Sequence, residues 1–109
     1  MRQPATKVVG LGTGMMGGIG FPEYFALGGR FKAIGGRNSE RVSQFLDRDD
    51  ISFPEVELSG SFEQVLDYIE RNPGFVDHAY VASIPKFHEQ HAHFAIDERL
   101  DLLLEKGGM

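Results

Sequence analysis

The stretch Val8-Val9-Gly10-Leu11-Gly12-Thr13-Gly14-Met15-Met16-Gly17-Gly18 decides the fold. Val8 to Leu11 reads as a short apolar strand. It runs directly into G-x-G-x-x-G at Gly12, Gly14 and Gly17. Each glycine of such a turn has a separate task. The first allows the tight reversal after the strand, the second lets backbone approach a pyrophosphate, and the third lets the next helix lie close on the sheet. That helix then directs its free N–H groups and the positive end of its dipole at the phosphates. Glycine-rich turns are common, so the weight of the reading rests on what surrounds this one.

Working outward, the first strand spans Thr6 to Leu11, and a helix is expected from Met15 to Leu27. Pro22 either kinks that helix or opens a second helical segment as its first residue. Gly28-Gly29 ends it. Phe31 to Gly35 is the second strand. Asn38 or Ser39 then caps a helix with Val42, Phe45 and Leu46 at i, i+3, i+4. Val56 to Leu58 reads as the third strand. Ser61 and Gln64 form a capping box that opens a helix with Phe62, Val65, Leu66 and Ile69 on one face, and Asn72-Pro73-Gly74 stops it. His78 to Ala82 is the fourth strand. A helix from Phe87 to Asp97 follows, with Phe87, His91, Phe94 and Ala95 on one side. Leu102 to Leu104 is apolar at consecutive positions, as in a parallel strand covered on both faces. Strands alternating with helices predict a parallel sheet, and right-handed crossovers give the order 3-2-1-4-5 with helices on both faces. This is an α/β architecture of the Rossmann type.

With 109 residues, one domain is expected. The chain is 41% hydrophobic and 25% charged, as in a soluble globular protein. A net charge of −5 argues against nucleic acid or an anionic membrane as the principal partner. The chain has no cysteine, which excludes disulfides and cysteine-ligated zinc and suits the cytoplasmic setting expected for it. Met1 to Thr6 lacks the apolar region of a signal peptide, and no apolar run approaches the ~20 residues that span a bilayer. Absence of G-x-x-x-x-G-K-[ST] excludes a P-loop nucleotidase.

Ligands of open α/β sheets bind beyond the carboxyl ends of the strands, where the strand order reverses. Ser83, Ile84 and Pro85 follow the fourth strand beside the first, so they are expected at that crevice together with Gly12, Thr13, Gly14, Met15, Met16 and Gly17. An acid at the end of the second strand would hold a ribose 2′-OH and repel a 2′-phosphate. Gly36 stands there instead, followed by Arg37, whose guanidinium suits a phosphate. Asn38 and Ser39 add donors at a helix N-terminus. The expected cofactor is therefore NADP, with NAD as the other choice. His88, His91 and His93 raise the question of a metal. On a helix only His88 and His91 share a face, and Ala92 breaks the H-E-x-x-H pattern, so no metal site is expected.

Four blocks resemble the N-terminal part of the glucose–fructose oxidoreductase, inositol dehydrogenase and rhizopine-catabolism family (Gfo/Idh/MocA). Lys7 to Gly17 is similar to its first strand and glycine loop, and Ala33 to Arg41 to its second strand and helix start. Val81-Ala82-Ser83-Ile84-Pro85-Lys86-Phe87-His88 resembles its ATPxxxH turn, and Leu102-Leu103-Leu104-Glu105-Lys106 its LLEKP signature. The resemblance implies an NAD(P)-dependent oxidoreductase of sugars, cyclitols or related polyols. Lys106 would be the catalytic lysine with Glu105 orienting it, and His88 would lie near the nicotinamide. Gly107 replaces the proline after that lysine, and Ile84 the proline of the turn. Residues 1–109 would then be a cofactor domain without its substrate domain. Their fifth strand would be an edge that further chain covers or that drives homo-oligomers.

Two other readings compete. The first is a non-catalytic dinucleotide-binding or regulatory module, which the missing proline and substrate domain favour. The second is an S-adenosylmethionine-dependent methyltransferase, which ranks lower because no acid ends the second strand.

Overall fold

Among the described residues nine elements alternate. They are β1 (Val8–Leu11), α1 (Met15–Ala26), β2 (Phe31–Gly36), α2 (Ser39–Leu46), β3 (Leu58–Ser61), α3 (Phe62–Arg71), β4 (His78–Val81), α4 (Pro85–Asp97) and β5 (Asp101–Leu104). The computed structural model describes residues 6–48 and 52–104. All five strands are parallel, in the order β3-β2-β1-β4-β5. The expected Rossmann-like α/β fold is therefore present, and the strand order reverses between β1 and β4.

The sheet divides the core in two. On one face Phe21 of α1 and Val42 and Phe45 of α2 pack on Val8, Phe31 and Ile34. On the other, Val65 and Ile69 of α3 and Ala95 of α4 pack on Val9, Leu11, Ala33, Ala79 and Val81. Side chains alternate across β1, but Gly10 interrupts the pattern: a Cβ there would lie 2.8 Å from the Phe21 ring. The glycine makes room for Phe21, the largest fully buried side chain of α1. Between Val8 and Val9 the pairing skips Lys32 of β2, so Phe31 and Ile34 face the same layer.

Pro22 lies inside α1 without ending it. The missing bond and the clash of a mid-helix proline cost about 3 kcal/mol. Full burial of Phe21 offsets that by about 1.5–3 kcal/mol, and its ring also meets Phe31, Phe45 and Tyr80. One continuous helix is thus the outcome, rather than a second segment starting at Pro22.

The third strand differs from expectation. Val56 and Glu57 precede it, and pairing with β2 runs from Ala33↔Leu58 to Gly36↔Ser61. Ser59 and Gly60 look like turn residues in sequence, but β2 supplies a ladder that overrides that preference. Shorter ends of β1 and β4, and the start of α4 at Pro85 rather than Phe87, are boundary shifts of one or two residues. The capping box is formed as expected. Gln64 N donates to Ser61 Oγ at 3.3 Å, and Ser61 N donates to Gln64 Oε1 at 3.0 Å. No helix among the described residues is long and apolar enough to cross a membrane.

Candidate dinucleotide crevice

The candidate crevice lies at the carboxyl ends of β1 and β4, where the strand order reverses. Gly12 ends β1 with φ +114°, a conformation L side chains avoid. A Cβ there would stand 2.6 Å from the Ala82 carbonyl and from Ser83 N. Gly12 thus lets the turn after β1 touch the turn after β4. Its own N–H donates to Gly35 O at 2.9 Å, and Ala82 N donates to Leu11 O at 2.8 Å.

Gly14 is different. Its φ of −78° is open to any residue, and a Cβ there would meet nothing within 4 Å among the described residues. Neither backbone nor packing needs a glycine at this position. It is the N-cap of α1, without a side-chain cap and without an acid in the first turn. The N–H groups of that turn, over Met15, Met16 and Gly17, have no partner inside the helix. Open space beside unfilled donors at a helix N-terminus is what a pyrophosphate fits.

Gly36 ends β2 and is buried. A Cβ there would lie 2.7 Å from both Thr13 Oγ1 and Val42 Cγ2. Thr13 of the glycine turn and Val42 of α2 therefore pack closely against Gly36. Arg37, the next residue, is exposed. Asn38 and Ser39 are partly committed: Asn38 Oδ1 caps α2 by accepting from Arg41 N at 2.9 Å, and Ser39 Oγ donates to Gln64 Oε1 at 2.8 Å. Ile84 and Pro85 are exposed as the N-cap and first residue of α4. Ser83 is buried, and its hydroxyl faces His91, with Oγ 2.8 Å from Nδ1. Lys106 and Glu105 lie outside the described residues.

A cleft of about 530 Å³ runs beside this crevice between α3 and α4. Arg37, Phe62, Leu66, Phe87 and His91 line it. Sequence reasoning did not assemble this cleft. Its signal was His91 standing at an apolar position of the α4 stripe. His91 is fully buried, with the Phe62 ring 4.3 Å away and the Phe87 ring 6.0 Å away. Its Nε2, and Nδ1 of the half-buried His88, are shielded from solvent and have no hydrogen-bond partner among the described residues. Burial, and secondly the neighbouring His88, pull the His91 imidazole down from 6.5 to about 4, so it is neutral at pH 7. No group of three or more potential ligands for a metal ion is found among the described residues.

The shift of His91 sets a pH dependence. Between pH 6.5 and about 4 the unfolded chain takes up a proton that the folded chain refuses. Stability therefore falls as pH is lowered through that window, by up to about 3 kcal/mol, and this contribution is flat above and below it. Urea midpoints at pH 7 and pH 4 should show the loss. The paired variant Ser83→Ala/His91→Phe, which removes both hydrogen-bonding partners, should lose less. Equal losses in parent and variant would show that another group sets the acid limb.

No family model matches the chain, and no curated protein matches it. Among solved structures it is similar to RSP in complex with beta-NADH (TM-score 0.60, 17% identity, 94% of this chain and 53% of that one). It is also similar to a second structure of RSP, a Rex-family repressor (TM-score 0.57, 17% identity, 94% of this chain and 52% of that one). The chain thus spans about half the length of these proteins. At this identity the likeness carries the fold alone, a Rossmann-like α/β sheet. It corrects the enzyme expectation: the similar structures are of a repressor and not of an oxidoreductase. The Gfo/Idh/MocA resemblance finds no support beyond the shared fold.

Proposed function

We propose that the chain is a dinucleotide-binding module that senses a nicotinamide cofactor by holding it, without reacting it. The backbone of Gly12 to Gly17 would take the pyrophosphate, and Gly36 and Arg37 the adenosine-side ribose. When bound, the cofactor would supply its redox state as the signal. The observation that carries this reading is Gly14, a glycine without a backbone or packing reason, at an uncapped helix N-terminus. The regulatory part comes by analogy with RSP, a repressor whose structure was solved with NADH. Fluorescence titration with NADH and NADPH should give saturable binding, with no change in cofactor absorbance when sugars or cyclitols are added. Failure to saturate with either cofactor, or NAD(P)H production from any polyol, would overturn the reading.

Within it, Arg37 favours NADP(H). Residue 36 is glycine, so nothing on it repels a 2′-phosphate, and the exposed guanidinium of Arg37 beside it can hold one. Arg37→Ala should weaken NADPH by about 1.5–3 kcal/mol, the scale of a hydrogen bond to a charged group, and leave NADH nearly unchanged. Equal affinities of the parent for both cofactors, or equal losses in the variant, would mean the 2′-phosphate is not read here.

A further inference from the structure

We infer that His91, at the wall of the cleft between α3 and α4, reads the edge of a purine base, and that the cleft selects an amino-substituted purine nucleotide. The inference rests on the dinucleotide reading and adds the residue that recognises the base. Ser83 engages Nδ1 of the buried ring at 2.8 Å, while Nε2 has no partner among the described residues. A buried polar atom left unpaired is costly, and the cost is recovered if a ligand pairs with it.

The surroundings specify the ligand. Phe62 and Phe87 stand around the imidazole and offer ring faces on which a flat heteroaromatic group stacks. Nε2 itself is shielded from solvent, so a base reaches it only as the side chains around it shift. The volume, about 530 Å³, lies within the range of small-molecule sites. Charge orients the occupant. Arg37 stands on the cleft wall at the end of β2, while Glu63, Asp67 and Glu70 line it along α3. Ribose and phosphate therefore lie toward Arg37, and the base edge toward the carboxylates. An exocyclic amino group donates to such a rim, whereas a carbonyl oxygen in its place is repelled. The imidazole bears one ring proton, which either nitrogen can carry depending on the direction of the Ser83 hydrogen bond. Adenine presents both a ring acceptor and an amino donor on one edge and satisfies Nε2 in either state.

The test is calorimetric titration of the full chain with AMP, IMP, nicotinamide mononucleotide and NADH. The parent should prefer AMP to IMP at least fivefold. His91→Phe should weaken AMP and NADH by a similar factor of about ten, bring the AMP-to-IMP ratio toward one, and leave nicotinamide mononucleotide unchanged. Leu66→Trp, which fills the cleft and keeps the histidine, should weaken AMP as well. If NADH binds but His91→Phe leaves its affinity and the AMP-to-IMP ratio unchanged, the inference fails and the dinucleotide reading stands. If AMP binds with the stated preference but NADH does not, the dinucleotide reading fails and the base site stands. A chain that binds neither AMP nor NADH overturns both.

Discussion

Gly12→Ala should cost the fold about 2–6 kcal/mol. Two penalties add. The backbone at φ +114° disfavours any L side chain by about 1–3 kcal/mol. The new Cβ would also stand 2.6 Å from the Ala82 carbonyl and Ser83 N. These are backbone atoms anchored by β4, so they cannot yield as a side-chain end would, and overpacking of this kind costs about 1–3 kcal/mol. Domains of this size carry about 5–15 kcal/mol in all. Gly36→Ala provides the comparison. Its Cβ would approach Thr13 Oγ1 and Val42 Cγ2 at 2.7 Å, both side-chain atoms that can shift, so its loss should be about half as large. Urea denaturation of the two variants against the parent measures both. A Gly12→Ala loss under about 1 kcal/mol would mean that the β1 and β4 turns do not meet as described.

Much of this was readable from the sequence, for physical reasons that can be named. Strand order follows from alternation and crossover handedness, and the α3 capping box from Ser61 and Gln64 alone, because both are local rules. The site was legible only in outline. The glycine turn stood out as a pattern, yet its glycines divide by tertiary contact. Gly12 is required by its own φ and by Ala82, and Gly14 by nothing among the described residues; outside the turn, Gly36 at the end of β2 is packed by Thr13 and Val42. No local rule reveals that Thr13 packs against Gly36, since the two residues meet only once β1 and β2 pair. The same holds for Ser83 and His91, eight residues apart and joined across the turn into α4. β3 was misplaced because its pairing with β2 outweighs the turn preference of Ser59 and Gly60. The oxidoreductase reading went too far for a related reason. Glycine loop, second strand and β4 turn mark a binding fold, and a fold does not specify chemistry.

Gly14→Ala should do the opposite of Gly12→Ala: leave the fold alone and remove most of the binding. A Cβ at position 14 enters open space, and φ −78° suits alanine as well as glycine. An N-cap change from glycine to alanine costs at most about 1 kcal/mol. The same Cβ would occupy the place where the phosphates come down on the first turn of α1. Each hydrogen bond from a backbone N–H to a charged oxygen contributes about 1.5–3 kcal/mol, and displacing the pyrophosphate removes at least one. The expected loss in NADH and NADPH affinity is therefore about 10- to 150-fold, equal for the two, because the 2′-phosphate lies elsewhere. Gly14→Asp should lose more, since its carboxylate adds repulsion to displacement, while the same acid at an N-cap favours the helix itself. That divergence separates a binding role from a folding one: Asp at position 14 should hold or raise the melting temperature and abolish the titration. If Gly14→Ala binds either cofactor as the parent does, the pyrophosphate does not sit over the first turn of α1.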